Sequence, residues 1–142
     1  MGNAVFVAAM LELPTMAFFT KMSEKINCGT LIKFSILMFC VKHALTYFAT
    51  NMIMIYLAQV CQMFAYALFV PASVYYVNKK IAVADRVKGQ SLVTTSMTLS
   101  GVFANFAGGI MLDALGVGHV LLAGVVLSIV GAVIVISMTE KV

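Results

Sequence analysis

The stretch VLLAGVVLSIVGAVIVISM, residues 120–138, contains no charged side chain. A helix that crosses a bilayer needs about 20 mostly apolar residues, within a range of roughly 17–25. This stretch meets that requirement. Its apolar run is interrupted by Gly124, Ser128 and Gly131. They recur at helical spacing, which lets another helix approach closely.

The same pattern extends over the chain. Of 142 residues, 63% are hydrophobic and only 10% are charged, against about 45–50% and 25% in soluble domains. Too few polar side chains remain to cover a water-facing surface. Working back from 120–138, four more apolar runs qualify as spans: 91–112, 53–77, 31–48 and 2–19. The expected fold is all-α, with about five transmembrane helices in a single membrane region over 1–142. Length forces the break at Thr50 and Asn51, because Leu31 to Val77 is about twice a single span. The other breaks are Lys21–Lys33, Asn78–Gly89 and Asp113–His119.

The net charge of +4 comes from basic residues clustered in alternate loops. Lys21, Lys25 and Lys33 flank the first loop, and Lys79, Lys80, Arg86 and Lys88 fill the third. The second and fourth loops have neither Lys nor Arg. Basic loops stay cytoplasmic, so the N-terminus is expected outside and the C-terminus inside. Topology therefore accounts for the charge, and no nucleic-acid partner is implied. Cys28, Cys40 and Cys61 form no Cys-x-x-Cys pair and have no histidine cluster, so no metal or cofactor site is expected. There is no His-Glu-x-x-His, no Gly-x-Ser-x-Gly and no glycine-rich phosphate loop. No enzymatic activity is expected.

Polar residues inside the spans are the site candidates, because they are costly in hydrocarbon. Glu12, beside Pro14, lies in the first span. It reads either as a proton- or substrate-coupling carboxylate or as a group at the mouth of an aqueous cavity. Lys42 lies in the second span. Both stand roughly 15–18 Å above their shared loop at helical rise, so a Glu12–Lys42 pair is geometrically reasonable. That pair would serve either a transport pathway or the register of two helices. His43 reads as a proton relay or a packing histidine. In the third span Gln59, Gln62, Tyr66 and Ser73 share one face, which lines a cavity or binds helices together. In the fourth, Ser91, Thr94, Thr98, Gly101, Asn105 and Gly108 share a face suited to packing. Asn105 alone there merits a site role.

The order of these features resembles helices eight to twelve of a major facilitator superfamily transporter. Glu12-Leu13-Pro14 followed by Lys21 and Lys25 resembles the eighth helix and its basic loop. Arg86-Val87-Lys88-Gly89-Gln90 resembles the Arg-x-x-Gly-Gln start of the eleventh. Gly108-Gly109-Ile110-Met111-Leu112-Asp113-x-x-Gly116 resembles that helix's glycine-rich exit. The set is most similar to the lactose-permease-like and phenylpropionate-permease-like branch. Lys42 stands where lactose permease has a basic residue on its ninth helix. Gln62 and Ala65 stand where it has His and Glu on its tenth, and neither titrates.

The resemblance implies alternating access between two six-helix halves around a midplane site. It implies a plasma-membrane symporter-like protein that moves a small polar organic solute, such as a sugar, nucleoside or organic acid, coupled to protons. Helices one to seven have no counterpart here. The chain is accordingly expected to be a truncated or split product, inactive until it meets the missing N-terminal part. The alternative is a small autonomous membrane subunit that binds other helices through its glycine- and serine-rich faces.

Overall fold

The computed structural model describes residues 19, 21–22 and 26–139. The expected span 2–19, with Glu12 and Pro14, lies outside the described residues except for Phe19. Four long helices follow: α1 (Cys28–Tyr47), α2 (Met52–Lys80), α3 (Arg86–Leu115) and α4 (Val117–Met138). Each is long and apolar enough to cross a membrane. Among the described residues there is no strand, and the fold is all-α.

The connections are short, and each has a local cause. Between α1 and α2 the Asn51 side chain accepts from the Met54 amide at 3.1 Å. That satisfies one of the N–H groups that a helix start leaves open. Between α2 and α3 runs one 3-10 turn, Val83–Asp85. Between α3 and α4 stands Gly116 alone, at φ 81° and ψ 173°. Only glycine holds that backbone conformation comfortably.

Two of the helices run well past the apolar runs that announce them. Lys79 and Lys80 form the last turn of α2, and Arg86 opens α3. Charge ends the part of a helix that can sit in hydrocarbon. It does not end the helix, whose hydrogen bonds continue into the headgroup layer. α2 also continues through Pro71, where the ring removes the N–H that would have met the Ala67 carbonyl.

α1 is the central element, packed antiparallel against α2 on one side and α4 on the other. Its α2 side forms the core, where Leu31 and Ile32 meet Leu68 and Ala72, with Phe19 closing the cluster. The rings of Phe39 and Phe69 meet edge to face at 6.4 Å. On the α4 side Gly124 and Ser128 meet α1, while Gly131 lines a cleft beside it. The Cys40 thiol donates to the Ser128 carbonyl at 3.2 Å. A Cβ at Gly124 would stand 3.3 Å from Cδ2 of His43. His43 donates through Nδ1 to the Phe39 carbonyl at 2.8 Å, since a carbonyl can only accept.

α3 differs from the others. Its one buried residue is Gly89, at its start. The expected packing face is largely uncovered: Ser91, Thr94, Thr98, Gly101 and Asn105 are exposed, and only Gly108 is half-buried. Spacing tells which residues share a face, but not whether a partner is at hand. Among the described residues, α3 packs closely at its first turn, where Gly89 lies against Val77 and Ile81, while Ala104, Ala107 and Gly108 line a cleft shared with α4.

Candidate functional site

At about 100° per residue, Ala58, Ala65, Leu68 and Ala72 fall on one side of α2, and all four are buried. Gln62 lies about 40° round from Ala58, at the edge of that packed side, while Tyr66 and Gln59 lie farther out at about 80–100°. Their environments follow this order. The Gln62 Oε1 atom is shielded from solvent and has no hydrogen-bond partner. Gln59 is half-buried and Tyr66 is 43% exposed. Ser73 is satisfied locally, donating to the Val70 carbonyl at 2.7 Å. The four residues share a face, as their spacing requires, but of the four only Gln62 has a polar atom both shielded from solvent and without a partner.

Lys42 repeats the positions of Cys28 and Ser35 at seven-residue intervals, so all three share one side of α1. Cys28 and Ser35 are fully buried there, and Lys42 is half-buried. Its carbonyl accepts from Thr46 Oγ1 at 2.9 Å. The Phe39–Phe69 contact fixes the antiparallel register. Three residues on from Phe39 is Lys42, and three back from Phe69 is Tyr66. The register therefore brings Lys42 level with the Gln62–Tyr66 turn. A cation, an amide oxygen and a phenol gather at one depth.

Asn105 does not join them. It is exposed on α3, which meets α2 closely only where the two helices join. Glu12 lies outside the described residues, so its relation to Lys42 does too.

Among the described residues four clefts stand out, and none of these is lined by Lys42, Gln59, Gln62, Tyr66 or Asn105. Two, of about 420 and 330 Å³, open between α1, α3 and α4 and share His43, Ala104, Gly124 and Leu127. One of about 290 Å³ lies along Thr94–Val102. The fourth, of about 500 Å³, sits where α2 turns into α3 and is lined by Asn78, Arg86, Gln90 and Thr94 among others. Spacing gave no sign of this last cleft, because Arg86 reads in the sequence as a loop charge. Among the described residues no three His, Cys, Asp or Glu side chains come together as metal ligands would.

Against protein-family models, residues 1–141 match the Major Facilitator Superfamily. The chain belongs to that superfamily. Comparisons with curated proteins and with solved structures found no match. Together with four helices able to cross a bilayer, membership makes this a multi-pass membrane protein of a transporter superfamily.

Proposed function

We propose that the chain is the C-terminal part of a secondary active transporter, corresponding to helices eight to twelve. Its branch is the lactose-permease-like and phenylpropionate-permease-like one. In this reading it lies in the plasma membrane with its basic loops and C-terminus in the cytoplasm. It joins an N-terminal set of helices, and together they alternate access to a small polar organic solute coupled to protons.

The observation that carries the reading is the unmet Gln62 Oε1 at the depth of Lys42. A buried carbonyl oxygen without a donor costs about 1–3 kcal/mol. A solute hydroxyl or amine would supply that donor. Gln59 and Tyr66 extend the polar face toward the open side of α2, where the solute would arrive. Glu12, one helix earlier, is the proposed proton-linked carboxylate and partner of Lys42. Asn105 would contribute only after α3 moves or meets the other half.

The test starts with the DNA upstream of the Met1 codon. Seven further spans encoded there, in frame or across a frameshift, support the reading. Uptake in proteoliposomes should then require the joined chain and fall on Lys42→Ala or Gln62→Leu. Uptake by this chain alone would count against it. Unrelated upstream sequence would favour the second reading, an assembly subunit. The uncovered small-residue face of α3 speaks for that one, and it calls for a stable complex or homo-oligomer in mild detergent.

A further inference from the structure

At about 1.5 Å per residue, the 29 residues of α2 and the 30 of α3 each extend roughly 44 Å. A hydrocarbon core is only about 30 Å thick. The turn that joins α2 to α3 therefore stands in the headgroup layer. It carries Lys79 and Lys80 on the last turn of α2 and Arg86 and Lys88 on the first turn of α3. Asp85 offsets one of these charges, accepting from Lys88 Nζ at 2.9 Å. The cleft of about 500 Å³ opens here, with Arg86 on its wall beside Asn78, Ser91, Thr94 and Thr95.

Arg86 is the unusual member. Its Nε is shielded from solvent and meets no hydrogen-bond acceptor. A guanidinium nitrogen that has lost water and gained no oxygen is poised for an acceptor from outside the chain. A phosphate oxygen suits it best, since the planar fork of Arg matches phosphate and carries opposite charge. The Thr94 and Thr95 hydroxyls and the Asn78 amide on the same wall can donate to the remaining oxygens. At this depth, lipid headgroups are the phosphates at hand.

We propose that the α2–α3 turn holds one anionic phospholipid, its phosphate seated against Arg86 in this cleft. The surrounding lysines raise the local concentration of anionic lipid, and Arg86 and the hydroxyl wall make the place specific. The inference needs only that the chain lies in a membrane. It stands or falls separately from any solute.

The test uses the whole chain in a neutral detergent, with bound lipid counted by native mass spectrometry. Phosphatidylglycerol should be retained as a single molecule at concentrations where phosphatidylcholine is not. Arg86→Lys keeps the charge but loses the fork, and should weaken retention severalfold, because a point charge cannot meet two phosphate oxygens in one plane. Lys33→Gln removes a charge outside the cleft and should leave retention nearly unchanged. Thr94→Val, which preserves shape, should also weaken it and serves where Arg86→Lys lowers helicity by circular dichroism. Equal retention of both lipids would overturn the proposal. So would a loss in Lys33→Gln matching that in Arg86→Lys. Binding of inorganic phosphate alone, with phosphatidylglycerol not retained, would overturn the lipid as the source of the phosphate.

Discussion

Gln90 donates from Nε2 to the main-chain carbonyl of Val74 at 3.0 Å, tying the first turns of α3 to the last turns of α2. The bond crosses sixteen residues of chain and closes the helical hairpin just above its 3-10 turn. It gives a physical role to the last residue of the Arg-Val-Lys-Gly-Gln stretch at 86–90. A neutral hydrogen bond contributes about 0.5–1.5 kcal/mol net. Gln90→Leu should therefore lower stability by about 1 kcal/mol in detergent thermal unfolding. Gln90→Glu should do no better, because a carboxylate cannot donate to a carbonyl. An unchanged midpoint in both variants would mean that the bond adds nothing.

Gly89 completes the same joint by its lack of a side chain. A Cβ there would stand 2.5 Å from Ile81 Cδ1 and 2.9 Å from Val77 Cγ1. The Ile81 tip can turn aside, but Val77 is short and stiff at χ1. Gly89→Ala should therefore cost about 1–3 kcal/mol, the range for overpacking. Val77→Ala should recover part of that loss. A double-mutant cycle reads the coupling directly, and strictly additive effects would rule out the steric account.

Gly116 makes the single-residue break between α3 and α4, at φ 81°. Gly116→Ala should lower stability by about 1–3 kcal/mol through backbone strain, since open space surrounds its missing Cβ. Gly118, two residues on inside α4, also has open space and carries no such backbone angle. Gly118→Ala should be neutral or slightly stabilising, because Ala is the better helix former. Thermal unfolding of the pair separates strain from crowding, and equal losses in both would contradict it.

These joints show what the chain's residues announce and what they withhold. The all-α membrane class follows from runs such as 120–138, because hydrocarbon admits little else. The helix ends do not follow from the same runs. Arg86 and Lys88 read as loop and lie in helix, since apolarity marks the depth of lipid and not the extent of hydrogen bonding. Spacing alone groups Gln59, Gln62, Tyr66 and Ser73 on one face. Which of them is shielded depends on where α1 crosses α2, and that contact is set by Ala58, Ala65, Leu68 and Ala72 acting together. The α3 stripe from Ser91 to Gly108 shows the limit most clearly: its register is regular, yet nothing in it reports that the face is uncovered.

Gln62 offers a test in which stability and function should move in opposite directions. Its Oε1 is buried and unpaired, so a side chain of similar volume with no polar atom removes a desolvation penalty. Gln62→Leu should leave stability unchanged or raise it by about 1–3 kcal/mol, read as a higher unfolding midpoint. In the joined transporter the same change should reduce solute uptake severalfold, because the oxygen that would accept from the solute is gone. Gln62→Glu restores the oxygen and adds a charge, so it should bring back part of the uptake while lowering stability. A gain in stability with loss of transport is the pattern of a site kept at the expense of the fold. If Gln62→Leu destabilises the chain instead, the amide serves the packing of α1 on α2, and the solute site must be sought elsewhere on the bundle.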